Sequence, residues 1–381
     1  MAKNRHSSSK APQEAGVPAA PGRPEDCAAP GLRVAAIGGG TGLSTLLRGL
    51  KRHTQSPAHP PSASDAFSSP LAIADLTAIV TVTDDGGSSG RLRKDMKMLP
   101  PGDLRNCMVA LSEDEHLLSR LFQYRFESGQ GLEGHSLGNL FLAGLTAVTG
   151  DFALAVKTSS QILATRGHLY PATNSNVTLV AHMDDGSVVL GETNITASKR
   201  RIVRLLLEPE HAPALPEAIA AIRGADMVTI GPGSLYTSLI TNVLVEGIAD
   251  ALLAAPGVRV FVCNLMTQAN ESVHLTASQH IERIYEHAGG AIFDYALVNT
   301  APVPEAARER YAAEGAEPIL ADVDAIERLG VRCITGNFLH AEGVLRHDYE
   351  RVTEALLEIG LKDCRRVAAS RNQPGGEVSR S

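Results

Sequence analysis

Seven apolar runs alternate along the chain with segments of helical periodicity: RVAAI (33–37), LTAIVTV (76–82), VTLVAHM (177–183), IVRLLLE (202–208), MVTIG (227–231), VRVFVCN (258–264) and YALVN (295–299). A strand that is apolar along its whole length is buried on both faces, and a mainly parallel sheet covered by helices above and below provides that environment. The expected fold is therefore α/β, a three-layer Rossmann-like architecture around a mainly parallel sheet. Residues 102–165 interrupt the alternation: they lack a convincing strand, and helix starts near Asp103, Glu115, Ser136 and Asp151 predict a helical insertion beside the sheet. VTLVAHM and SVVLGE flank Asp184-Asp185-Gly186, a hairpin signal that predicts some antiparallel pairing.

Residues 1–30 and the tail 363–381 have no apolar period and are expected to be disordered, leaving 31–362 as one domain; 53–70 reads as a loop. At 381 residues and 44% hydrophobic, the chain can bury a sizeable core. Its net charge of −7 and scattered cations exclude the basic stripe of a nucleic-acid-binding protein. There is no signal-like apolar segment at the N-terminus and no run of bilayer length, so no membrane span is expected and the location is read as cytoplasmic. The 5 cysteines are widely separated without a C-x-x-C pair, which predicts reduced thiols and neither a disulfide framework nor a zinc site.

The first apolar run enters IGGGTGLSTLLRGL, where Gly38, Gly39, Gly40 and Gly42 let backbone N–H groups approach an anion and a helix beginning near Leu43 adds its positive end. Leu43 stands at the third glycine position of a dinucleotide fingerprint and no acid follows at the expected distance, so NAD binding is disfavoured. The second run ends in DDGGSSGRLRK. Asp84 and Asp85 fall on the same sheet edge as the glycine loop, where they can orient a sugar or base, hold Mg²⁺ or accept a proton; an Asx turn into Gly86-Gly87 is the structural alternative. In PPGDLRNCMVAL, Asp103 reads as an N-cap with Leu104, Met108 and Leu111 buried, whereas Arg105 opposes the helix dipole and calls for Asp84, a ligand phosphate or solvent as its partner.

GHSLGNLFLAGL predicts a helix capped by Ser136, with Leu137, Leu140, Phe141 and Leu145 forming its apolar stripe and Gly138 and Gly144 allowing close packing; His135 is either a ligand contact or a structural donor. MVTIGPGSLYTSL repeats the strand, glycine turn and helix start, placing Ser234 to cap the helix or meet a phosphate, and the next strand ends in Asn264 ahead of Met266-Thr267-Gln268.

Together GGGTGLSTLLRGL, TVTDDGGSSGRLR, PPGDLRNC, GHSLGNL, TIGPGSLYTS and NLMTQ resemble the gluconeogenesis factor family, the YvcK-like branch of the CofD-like proteins, over about residues 33–360. The resemblance implies a CofD-like fold, binding of a nucleotide sugar (UDP-N-acetylglucosamine), and a non-catalytic regulatory part in carbon metabolism, cell shape and wall synthesis. A homodimer and a cell-wall synthesis partner are compatible with it. The sister branch implies the alternative, a 2-phospho-L-lactate transferase of coenzyme F420 synthesis, a phosphotransferase with Asp84 and Asp85 as catalytic groups and Mg²⁺ as cofactor. Carried over residue by residue, the ligand-binding set is Gly38, Gly39, Gly40, Thr41, Gly42, Asp84, Asp85, Ser88, Ser89, Asp103, Arg105, Asn106, His135, Asn139, Gly231, Gly233, Ser234, Asn264, Thr267 and Arg346, with no resident metal. One departure stands out: Leu275 occupies the place of a family tyrosine implicated in ligand binding, and it supplies neither a phenol nor a full stacking face.

Overall fold

The computed structural model describes residues 31–54, 73–113, 117–198, 200–340 and 344–371, with side chains of the last helix described through Asp363. The expectations for residues 1–30, for most of 53–70, for a helix start near Glu115 and for 372–381 lie outside the described residues. In chain order the strands are β1 (Leu32–Gly38), β2 (Ile73–Val80), β3 (His168–Pro171), β4 (Thr178–Met183), β5 (Val188–Leu190), β6 (Ile202–Glu208), β7 (Met227–Ile230), β8 (Val258–Val262), β9 (Tyr295–Asn299), β10 (Arg332–Gly336), β11 (Leu339–His340) and β12 (Arg346–His347). The helices that shape the argument are α1 (Gly40–Lys51), α2 (Gly87–Met96), α3 (Gly102–Leu111), α4 (Leu117–Gln123), α5 (Leu137–Thr149), α6 (Phe152–Ile162), α7 (Glu192–Ala197) and α8 (Pro216–Gly224).

Seven strands form one sheet in the order β10-β9-β8-β7-β1-β2-β3, every neighbouring pair parallel. All of β1 except Arg33 is buried, and so is all of β7, as two-sided burial requires. Ile37 lies level with Ile79 on one side and Ile230 on the other, and these three side chains sit at the centre of the core. From β1 the chain builds outward through β2 and β3, then returns to add β7, β8, β9 and β10 on the opposite side. The order reverses between β1 and β7, and at such a point the loops leaving the two carboxyl ends diverge and open a crevice.

The sheet differs from the sequence expectation in membership. VTLVAHM and IVRLLLE do not join it; as β4 and β6 they form a separate antiparallel sheet with β5, in which β4 and β5 are the hairpin expected around Asp184-Asp185-Gly186. In β4, Leu179, Ala181 and Met183 are buried while Val180 and His182 are less so, the period-2 pattern of a sheet with one wet face. Their places in the parallel sheet are taken by HLYP and RCITG, two edge strands too short and too polar to stand out as apolar runs.

The helical insertion forms as α3 to α6. Ser136 Oγ accepts the Asn139 N–H (3.2 Å) and Asp151 Oδ1 accepts the Leu154 N–H (2.7 Å), so both are caps as expected. The buried face of α5 differs from the expected stripe: Gly138, Asn139, Leu142 and Ala143 are its buried residues, while Leu137, Leu140, Phe141 and Leu145 are half-buried. The two glycines also part company. A Cβ on Gly138 would fall 2.6 Å from the Phe122 carbonyl oxygen, whereas one on Gly144 would meet nothing within 4 Å. Gly144→Ala should therefore raise stability by about 0.5–1 kcal/mol, the helix-propensity gain, and Gly138→Ala should lower it; denaturant midpoints at constant m-value decide. At the far end, the C-terminal helix Tyr349–Arg371 passes the Asp363 boundary expected for the tail.

Candidate ligand-binding site

The two glycine turns meet at the switch point. Gly39 is extended (φ −157°, ψ 163°) at the cap position of α1, and Gly40 begins the helix with φ +58°, three positions ahead of the expected Leu43. A Cβ on Gly42 would sit 2.2 Å from the Pro232 carbonyl oxygen and 3.1 Å from the Gly233 nitrogen. Only glycine lets the turn after β1 and the turn after β7 touch in this way.

The second turn is held from β8. Asn264 Oδ1 accepts the Gly233 N–H (3.0 Å), Asn264 Nδ2 donates back to the Gly233 carbonyl, and Gln268 Nε2 donates to Ser234 Oγ (2.6 Å). The Ser234 side chain therefore does not cap the following helix; its carbonyl accepts from Ser238 and Leu239 at the start of a π-helical turn, Leu235–Ile240. Thr267 is buried and its Oγ1 accepts the Glu317 N–H (2.9 Å), a loop-holding role.

The carboxylates do not act as a pair. Asp84 Oδ1 accepts the Gly86 N–H (2.9 Å) in an Asx turn, and its other oxygen lies against Gly102 at the start of α3. Asp85 turns the other way: its Oδ1 accepts from Thr193 N (2.8 Å) and Thr193 Oγ1 (2.6 Å), supplying the cap that Gly191 cannot give α7. Asp103 is not the cap of α3 either. Pro101 holds that position, and Asp103 in the first turn accepts the Gly40 N–H, bracing the first glycine turn from below. Burial, reinforced by the nearby Asp84 charge, raises its pKa to about 7.

Arg105 finds neither Asp84 nor solvent as its main partner. Its Nη2 donates to Asn106 Oδ1 (2.6 Å), its Nε is buried without a partner, and burial followed by the Arg125 charge lowers its pKa. Ser88 Oγ lies 2.9 Å from His135 Nδ1 and accepts from Asn139 Nδ2 (3.1 Å); all three residues are buried and tie the amino end of α2 to that of α5. Ser89 is buried against Gly102. The arginines of DDGGSSGRLRK are likewise engaged away from the glycine turns, Arg91 with the Glu133 carbonyl (2.7 Å) and Arg93 with Asn176 (3.0 Å) and the Val177 carbonyl.

Arg346 lies on β12, exposed, and makes no side-chain hydrogen bond or ion pair among the described residues. Its neighbour His347 donates from Nε2 to the Cys263 carbonyl (2.9 Å), which fixes β12 just beyond the carboxyl end of β8, and burial holds this imidazole neutral with a pKa of about 4. Leu275 packs half-buried against the main core. Thr41 is exposed at the first turn of α1.

Four polar residues at this edge escaped the sequence reading. Thr81 Oγ1 and Thr83 Oγ1 lie 3.3 Å apart, and Thr83 Oγ1 donates to Glu192 Oε2 (3.0 Å), forming a hydroxyl row from the glycine turn to α7. Glu271 accepts from Thr196 Oγ1 (3.2 Å) and from the Thr237 N–H, while its Oε2 is buried without a partner. Burial, then Asp103 and Asp84, pushes Glu192 up to about 9, and burial pushes Glu271 up to about 7. A local signal did exist for Glu192: VLGETNITA reads as strand, glycine and an acid in the first turn of a helix.

The edge thus combines helix amino ends with four carboxyl groups, Asp84, Asp103, Glu192 and Glu271. Ionised together they would repel an anion; burial raises the pKa of three of them, Glu192 most, which reduces the negative charge facing the glycine turns. A divalent cation fits less well. Asp85 is committed to Thr193, and among the described residues no group of three or more His, Cys, Asp or Glu is arranged to hold a metal ion. Two other clefts, of about 380 Å³ between α2, α5 and α6 and about 390 Å³ beneath α8 at the amino ends of β1 to β3, contain none of the residues expected at the site.

A parallel sheet with this strand order and two glycine turns in contact at its switch point defines a Rossmann-like α/β protein. A family model described as 2-phospho-L-lactate transferase CofD matches residues 34–339. The gluconeogenesis factor of Halalkalibacterium halodurans is 47% identical over 326 residues, 85% of this chain and 95% of that protein, and the gluconeogenesis factor of Bacillus subtilis is 44% identical over 328 residues, 86% and 98% respectively. A crystal structure of a UPF0052 family member from Bacillus halodurans superposes with a TM-score of 0.79 at 46% identity, covering 86% of this chain and 100% of that one. The chain belongs to the gluconeogenesis factor family of CofD-like proteins. No helix among the described residues is long and apolar enough to cross a membrane.

Proposed function

We propose that this protein is a cytoplasmic regulator that binds UDP-N-acetylglucosamine at the switch point and links the supply of that nucleotide sugar to carbon metabolism, cell shape and wall synthesis. The apposed glycine turns carry the reading: with Gly42 against Pro232, the amino end of α1 and the turn after β7 bring backbone N–H groups together at one sheet edge, the kind of donor set a diphosphate takes. The hydroxyl row and the carboxyl group of Glu192 beside it suit the many donors and acceptors of a sugar. A wall-synthesis partner and a homodimer belong to the same reading.

The regulator is preferred to a transferase because Asp85 caps α7, so Asp84 and Asp85 are not free to act as a catalytic pair. One observation favours the second reading, a CofD-like transfer: Asp103, with a pKa of about 7, is tuned as a general base would be. A thermal-shift panel of UDP-N-acetylglucosamine, UDP, GDP, GTP and NAD separates the ligands, because binding to the native state raises apparent stability by mass action. UDP-N-acetylglucosamine should give the largest shift; a response confined to NAD would overturn the proposal. Wild-type protein should also leave the nucleotide donor intact when given a deazaflavin alcohol and Mg²⁺. Turnover that Asp103→Asn abolishes would establish the transferase instead.

A further inference from the structure

We propose that Glu192 is a specificity-determining residue of this cleft, presenting its carboxyl group from α7 to a hydroxyl or amide of the ligand's sugar; the inference rests on the nucleotide-sugar reading. Its position is built from three sides. Asp85 holds the amino end of α7 through two bonds to Thr193, Glu271 holds the next turn through Thr196, and Thr83 fixes Oε2 of Glu192 itself. The helix is short and has no side-chain cap of its own, so these bonds from the β2–α2 turn and the loop after β8 determine where it lies. Glu192 Oε1 has no hydrogen-bond partner among the described residues and is not sealed in the interior, as Glu271 Oε2 is.

The surroundings select the ligand group. Asp84 in the β2–α2 turn, Asp103 on α3 and Glu271 in the loop after β8 all disfavour a charge on Glu192, and Arg93 on α2 is the cation that feels this cluster. A neutral carboxyl whose Oε2 accepts from Thr83 keeps an O–H donor at Oε1, which suits the oxygen of a sugar hydroxyl or of an acetamido group. It repels a phosphate less than a carboxylate does, yet brings no positive charge to hold one. The Thr81–Thr83 row also separates it from the glycine turns where the diphosphate sits, as a sugar at the end of a diphosphate requires.

Calorimetric titration with UDP-N-acetylglucosamine and with UDP tests this. Glu192→Ala should weaken UDP-N-acetylglucosamine roughly 10-fold or more, the loss of hydrogen bonds to one polar group, and leave UDP nearly unchanged. Glu192→Gln should recover most of that loss. The pH profile gives a second readout: as pH rises through about 9, wild type should weaken relative to the Gln variant, because only wild type gains a charge, and the ratio cancels ionisation of the ligand itself. If Glu192→Ala binds UDP-N-acetylglucosamine as wild type does, or loses UDP equally, Glu192 is structural and the inference fails alone. If wild type binds neither UDP nor UDP-N-acetylglucosamine, the nucleotide-sugar reading fails and takes the inference with it.

Discussion

Gly42→Ala should lower affinity for UDP-N-acetylglucosamine by roughly 10- to 100-fold while the protein stays folded. The added methyl would lie 2.2 Å from the Pro232 carbonyl oxygen, and that neighbour is backbone, unable to swing aside as a side chain would. One turn has to move away from the other. Asn264 and Asp103 brace the two turns from opposite sides, so the movement is resisted and should also cost about 1–3 kcal/mol of stability, the usual range for overpacking. The diphosphate would then lose alignment with N–H donors on at least one turn. Titration calorimetry with denaturant unfolding of the same sample separates the two effects; affinity unchanged in a folded variant would remove the glycine turns from the site.

The second large effect is expected at Arg346. Its guanidinium is exposed and unengaged among the described residues, on a strand that His347 pins beside the carboxyl end of β8. A planar fork can grip two oxygens of a phosphate at once, so Arg346→Ala should weaken binding roughly 10- to 100-fold, with little change in stability because no folded-state partner is lost. Arg346→Lys should restore only part of the affinity, since an ammonium keeps the charge and loses the fork. If both variants bind as wild type does, the ligand does not reach β12.

Leu275 bears on both results. Packed half-buried against the core, it anchors the loop after β8 and has no aromatic face to offer a ligand. The loop is held by Gln268 N–H to Ser272 Oγ (3.0 Å) and by His274 and Thr267 to Glu317.

Much of the frame was legible in residue order because it depends on local pattern. Continuous apolar runs announced the buried strands, Ser136 and Asp151 announced helix starts, and GGGTG and GPG announced turns that only glycine can make. The family likeness of the chain rests on the same stretches. What pattern could not decide was which strands joined which sheet. A run such as IVRLLLE satisfies a parallel strand and a one-sided antiparallel strand about equally, and HLYP at an edge satisfies neither template well, so sheet membership was settled by the neighbours available in the folded chain.

By itself, then, the sequence determined the layered α/β core, the glycine turns at one edge and the family, since each follows from residues close together in the chain. Tertiary structure alone decided the polar assignments. Asp84 and Asp85 are adjacent, yet one closes an Asx turn and the other caps a helix 108 residues away. Arg93 binds the distant 176–178 segment, and Glu192, which its own stretch marks only as an acid in the first turn of a helix, arrives beside Thr83. A backbone conformation is selected by sterics within a few residues; a side-chain hydrogen bond or a shifted pKa depends on which distant groups share its shell and how much water they exclude, and only the closed fold supplies both.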